Sequence, residues 1–187
     1  MATVLSVSGS PSATSRTTRL LRHVDARLAE LGHHVVPFEV RSLPAHALLS
    51  ADLSHPEIAA ALELFAEADG VVIGTPVYKA AYSGLLKTLL DVLPQYALRD
   101  KAVLPLATGG STAHVLAVDY ALRPVLSSMG AGHITQGWFV LDRHITVRED
   151  GTTAIEPETE LLLGPVVDAF ADALDRRAAP APALASS

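Results

Sequence analysis

The sequence predicts an α/β protein: a doubly wound, five-stranded parallel sheet with helices on both faces. Three observations carry this. Apolar runs alternate with helical patterns along the chain, the arrangement of stacked βαβ units. Two of the runs, Gly70–Gly74 and Ala102–Ala107, are almost unbroken apolar stretches, as expected of strands covered on both faces. Gly32 and Gly130 follow helical patterns at the position where a left-handed residue ends a helix.

Taken in order, the strands are expected at Thr3–Ser8, His34–Glu39, Gly70–Gly74, Ala102–Ala107 and Ile134–Val140. Helical patterns fall near Ser15–Leu31, Pro56–Ala68, Ser83–Leu93, Thr112–Met129 and Glu158–Arg177. Ser54-x-x-Glu57, with Pro56 in the first turn, reads as a capping box. Arg41–Leu53 is a long connection that reads as a surface flap. Asp142–Pro157, with alternating Ile145-Thr-Val147 and an Asp150-Gly151 pair, reads as a short hairpin. Residues 1–177 form one domain on this reading, and the Ala/Pro/Ser-rich tail 178–187 is expected to be disordered. The strand order expected of such a chain is flavodoxin-like.

Composition narrows the function. A chain of 187 residues with 49% hydrophobic content suits one soluble domain with a sizeable core. A net charge of −6 with no basic stripe argues against nucleic acid. No run is long and apolar enough for a membrane span, and no charged leader precedes the first strand. The sequence has no cysteine, which removes disulfides, thiolate metal sites and a catalytic thiol, and points to the reducing cytoplasm. The eight histidines form no H-x-x-x-H or H-E-x-x-H pair, and His33-His34 are expected to face opposite sides of a strand, so no metal site is expected. There is no G-x-S-x-G elbow either. Asp91 and Asp119 read as solvated helix charges.

In a doubly wound sheet, ligands lie at the carboxyl ends of the strands beside the topological switch point. Three segments should meet there. The first is Gly9-Ser-Pro-Ser-Ala-Thr-Ser-Arg-Thr17, a hydroxyl-rich loop opening a helix, where free amides and the helix dipole favour an anion. It lacks both G-x-G-x-x-G and the Walker Gly-Lys-Ser/Thr, so a single phosphomonoester such as that of FMN fits it better than a pyrophosphate. A plain Ser/Thr helix cap fits it equally well. The second is Gly74-Thr-Pro-Val-Tyr-Lys-Ala-Ala-Tyr-Ser-Gly84, in which Tyr78 could pack on a ring and Lys79 could meet negative charge at its edge. An ordinary proline turn with a surface lysine is the alternative. The third is Thr108-Gly-Gly-Ser111, which can present bare backbone to a ligand or serve as a turn.

Tyr120 and Pro124 lie four apart inside a helical pattern, so the proline removes a hydrogen bond to the Tyr120 carbonyl and crowds it. A kink or a widened π-type turn would relieve this. On these residues alone, Tyr120 packed in the core is the simpler reading.

Together, Gly9-Ser-Pro…Ser15-Arg-Thr17, Thr75-Pro-Val-Tyr-Lys-Ala-Ala-Tyr-Ser-Gly84, Pro105-Leu-Ala-Thr-Gly-Gly110 and Ala113-His-Val-Leu-Ala-Val-Asp-Tyr-Ala-Leu-Arg-Pro-Val125 resemble the NADPH-dependent FMN reductases. Within them the resemblance is to the reductase of the two-component alkanesulfonate monooxygenase system. It runs from the first strand to about Trp138. It implies an NAD(P)H:FMN oxidoreductase that releases reduced FMN to a partner FMN-dependent monooxygenase, which recovers sulfur from alkanesulfonates.

By matching position, the resemblance places the FMN phosphate on Ser10, Ser15, Arg16 and Thr17. The isoalloxazine would lie between Pro76, Val77, Tyr78 and Lys79 on one side and Thr108, Gly109, Gly110 and Ser111 on the other. Tyr120 matches the tyrosine that this subgroup places at a π-helix in the subunit interface near the flavin, and the implied assembly is a tetramer. Ser12 stands where many relatives carry arginine; if that arginine holds phosphate, either Arg16 compensates or flavin binding is weaker, which would suit an enzyme that uses flavin as a substrate. A quinone or azo reductase with tightly held FMN shares all of these motifs. A flavodoxin-type carrier would bind FMN without turnover. The choice between NADPH and NADH is left open by the sequence.

Overall fold

In the computed structural model, which describes residues 1–178, the sheet is parallel with order β2-β1-β3-β5-β6. The strands are β1 (Thr3–Ser8), β2 (His34–Glu39), β3 (Gly70–Tyr78), β5 (Ala102–Gly109) and β6 (His133–Ile134). This is the flavodoxin-like arrangement expected. The switch point falls between β1 and β3: β1 connects outward to β2 and the chain then returns to the other side. Two short strands add to this path. β4 (Ala81–Tyr82) folds back antiparallel on β3, and β7 (Trp138–Leu141) pairs parallel with the upper half of β5.

Helices α1 (Arg16–Glu30) and α6 (Pro157–Ala178) cover one face; α2 (Ala45–Leu49), α3 (Pro56–Glu67), α4 (Gly84–Val92) and α5 (Arg123–Ser128) cover the other. Each face has its own core. Leu20, Val24 and Leu28 of α1 meet Phe170 and Leu174 of α6 over Val4, Val72 and Leu104. Ile58 and Phe65 of α3 and Leu86 and Leu89 of α4 pack over Leu5, Val71, Ile73 and Val103. The central strands bury side chains in both directions, which is why they read as continuous apolar runs. Arg27 clamps α1 to α6 by a bidentate pair with Asp168, at 2.9 and 2.7 Å.

Several local expectations hold. Gly32 and Gly130 take φ of +90° and +84° just past their helices. The segment after β7 forms an antiparallel hairpin of β8 (Ile145–Val147) and β9 (Thr153–Ile155), with Gly151 at φ +81° in the turn. His33 is buried and His34 exposed. Asp91 and Asp119 are exposed helix carboxylates paired with Lys87 and Arg123.

Other expectations are corrected. His55, not Ser54, caps α3: its Nδ1 accepts from the Glu57 amide at 3.3 Å, while Ser54 is turned to Asp52. The stretch 41–53 is no surface flap, because Leu43 and, within α2, Ala47 and Leu48 are buried in the core. The expected strand Ile134–Val140 is two strands with a break at residues 135–137. Arg123 takes the carbonyls of Ile134 and Thr135, at 3.2 and 3.1 Å, and Gly137 is wedged beneath Val118. The expected helix Thr112–Met129 is a 3₁₀ turn (Thr112–His114), a π-helical segment (Val118–Leu122) and α5. The tail beyond residue 178 lies outside the described residues.

Candidate flavin-binding groove

The three loops predicted to converge do so. β1 delivers the first loop, and Gly9 is drawn against β3 by its amide bond to the Gly74 carbonyl at 2.8 Å. A Cβ on Gly9 would lie 2.7 Å from Leu86 Cβ, so only glycine allows this approach. Ser83, at the N-cap of α4, donates to the Gly9 carbonyl and accepts from the Leu86 amide. Thr75 accepts from the Ser83 amide at 2.9 Å. These buried hydroxyls fix the first loop to the β3–α4 connection.

Ser15 caps α1, its hydroxyl accepting from the Thr18 amide at 3.1 Å, which leaves the first-turn amides of Arg16 and Thr17 without helical partners. Thr17 Oγ1 meets Thr108 Oγ1 at 2.7 Å, both buried, and so ties the start of α1 to the end of β5.

The result is an open groove of about 210 Å³, shallower than the roughly 300–1,000 Å³ usual for enclosed small-ligand sites. The loop at the start of α1 contributes Ser10, Ser12, Thr14, Ser15, Arg16 and Thr17; the ends of the paired strands β3 and β5 contribute Pro76, Val77 and Tyr78 beside Thr108, Gly109 and Gly110. Gly110 presents open space where a Cβ would be, so the backbone faces the groove bare. The donor set suits an anion at the α1 end, and the flat backbone and apolar walls suit a ring at the other. FMN has both parts.

Of the residues singled out by sequence, Lys79, Ser111 and Tyr120 do not line this groove. Lys79 is exposed in a two-residue turn between β3 and β4, with Lys79 and Ala80 both left-handed at φ +52° and +64°. No glycine announces this turn, so nothing in the residue pattern separates it from a plain loop. Ser111 is exposed and accepts from the Ala113 amide at 3.2 Å. Arg16 reaches out of the loop to donate to the Ile145 carbonyl at the start of β8.

Tyr120 is 77% exposed, which overturns a core position for it. The widened turn is present: the Arg123 amide bonds to the Val118 carbonyl, five residues back, and Pro124 then begins the α-helix where its missing amide is harmless. Val115 and Leu116 are exposed beside it.

Asp142 also lines the groove and was not anticipated. It directly follows β7, so the rule that ligands gather at strand ends could have flagged it. Burial pushes its carboxyl above the usual range, with Arg16 pulling the other way.

A flavodoxin-like sheet with a phosphate-fitting loop and a flat-walled groove at its switch point defines a flavoprotein of the oxidoreductase class. A family model described as NADPH-dependent FMN reductase matches residues 2–146. The chain is 47% identical over 178 residues to an FMN reductase (NADPH) of Pseudomonas putida, covering 95% of this chain and 90% of the relative. It is 42% identical over 183 residues to one from Escherichia coli, covering 98% and 95%. Among solved structures, the apo form of an NADH:FMN oxidoreductase superposes with a TM-score of 0.85 at 39% identity, covering 100% of both chains. The chain therefore belongs to the NADPH-dependent FMN reductase family and is an NAD(P)H:FMN oxidoreductase, with FMN and NAD(P)H as its cofactors.

Proposed function

We propose that the groove holds FMN with its phosphate at Ser10, Ser15, Arg16 and Thr17 and its ring between Pro76–Tyr78 and Thr108–Gly110. Lys79 and Ser111 flank the mouth. The observation that carries this is the convergence of all three loops on one groove at the switch point, with an anion-favouring helix start at one end only. The chemistry the bound groups supply is hydride transfer from nicotinamide to flavin. The chain's own residues bind and orient. The hydroxyl cluster and the free amides of Arg16 and Thr17 hold the phosphate, Pro76 and Gly109 border the ring, and Tyr78, 48% exposed, covers the open edge. No side chain is required to act as an obligate acid or base.

The resemblance extends the proposal to a tetramer with Tyr120 in a subunit interface. It also extends it to cytoplasmic delivery of reduced FMN to a partner monooxygenase that releases sulfur from alkanesulfonates. The groove's openness fits a flavin that exchanges. The test is NADPH or NADH oxidation by flavin-stripped protein while free FMN is added. A rate that saturates with FMN, with flavin lost on gel filtration, supports a flavin handled as substrate. Retained flavin with turnover only on addition of a quinone would replace this reading with that of a quinone reductase.

A further inference from the structure

The groove is lined by two charged side chains among the described residues, Arg16 and Asp142, near enough that the guanidinium acts on the carboxyl. Their placement follows from the fold. Parallel pairing sets Thr108 against Val140 and Gly109 against Leu141, so the next residue of each strand, Gly110 and Asp142, leaves the sheet side by side. The 3₁₀ turn that Asp142 opens leads to Ile145, whose carbonyl receives the Arg16 guanidinium. The cation that serves the anion end of the groove is thus anchored three residues from a carboxylate. That carboxylate accepts no hydrogen bond of normal geometry from any described residue, and is half-buried. Nothing in the packing uses it.

We infer that Asp142 is a counter-charge that weakens the hold of the groove on the FMN phosphate. The inference rests on the phosphate lying at the α1 end. With Arg16 offset by Asp142, the side chains of the wall sum to zero charge, and attraction for a phosphate falls to the helix dipole, the amides and the hydroxyls. Oxidised and reduced FMN carry the same phosphate, so the carboxylate weakens both and keeps the flavin exchangeable in either state. Riboflavin, which has no phosphate, is indifferent to it. Asp142 therefore sets how strongly this chain prefers FMN to riboflavin.

The test is the equilibrium affinity of the flavin-free protein for FMN and for riboflavin, followed by flavin fluorescence quenching, in the parent, Asp142→Asn and Asp142→Ala. Removing one negative charge near the phosphate at surface-like dielectric is expected to tighten FMN about tenfold in both variants. Riboflavin should move less than about twofold, and the FMN gain should shrink at high salt, as screening requires. No change for FMN, or an equal change for both flavins, would overturn the inference, since the effect would then be absent or one of shape. Failure of the underlying reading looks different: the parent itself would bind FMN and riboflavin alike.

Discussion

Asp25 offers a test of how this fold handles a buried acid beneath its ligand loop. It lies on α1 and faces β1 and β2 across a small cavity lined by Ser6, Ser8, Thr18, Arg22 and Glu39. Its Oδ1 and the Ser6 hydroxyl are buried neighbours without a hydrogen bond of normal geometry. Burial pushes the Asp25 carboxyl from 3.8 up to about 6, against weaker opposing pulls from Ser6 and Arg22. The folded protein therefore holds a proton there more tightly than the unfolded chain. Stability falls as pH rises from about 4 to about 6, and the penalty is complete above that. The displacement is worth about 3 kcal/mol at neutral pH, and we take about 2 kcal/mol because the carboxylate keeps some solvent contact. Asp25→Asn removes the penalty. Urea unfolding of parent and variant at pH 4 and pH 7.5 should show the variant gaining about 2 kcal/mol relative to the parent between the two. A difference that does not change with pH would refute the reasoning, because the carboxyl would then titrate as in the unfolded chain.

Three further outcomes follow from local geometry. Ala80→Gly should stabilise the protein by about 0.5–1 kcal/mol, since Ala80 sits at φ +64° where a side chain is strained; an unchanged denaturation midpoint would remove that strain. Gly137→Ala should destabilise it by about 1–3 kcal/mol, because a Cβ there lies 2.5 Å from Val118 Cγ1 and 2.9 Å from the Pro105 carbonyl. A neutral result in the same denaturation assay would show that the break between β6 and β7 is loosely packed. Tyr120→Ala should leave the circular dichroism spectrum intact, because the ring is exposed, yet lower the sedimenting mass and alter flavin retention. A variant that assembles and retains FMN like the parent would take Tyr120 out of the interface.

What the sequence disclosed and what it hid divide along physical lines. Signals carried by single residues or periodicity were readable: the buried strands from their apolar runs, Gly32 and Gly130 from their need for positive φ, and an irregularity in the helix at Tyr120 from Pro124 four residues on, though the residues did not decide between a kink and the π-helical turn that is present. The groove was legible because strand ends at a switch point must meet, so loops after β1, β3 and β5 could be assigned to it without knowing any distance. Features set by competition between distant groups were not. The break in the last strand depends on Arg123 capturing two carbonyls, and the burial of Leu43 and Leu48 depends on where α4 lies. His55 displaced Ser54 as a cap by a ring nitrogen, an acceptor that capping patterns do not emphasise. Lys79-Ala80 turns without glycine because the β3–β4 pairing imposes it. Asp142 follows the last strand and was within reach of the strand-end rule, but its place beside Gly110 emerges only from the register of β7 on β5.

Everything proposed for this groove depends on where the flavin lies. A crystal structure of the protein soaked with FMN tests it most directly. FMN bound as proposed has its phosphate within hydrogen-bonding distance of the Ser10, Ser15 and Thr17 hydroxyls and the first amides of α1, with the ring between Pro76–Tyr78 and Thr108–Gly110. Flavin bound elsewhere, such as the pocket formed by Val118, Trp138 and Phe139 beside the π-helical segment, would contradict it.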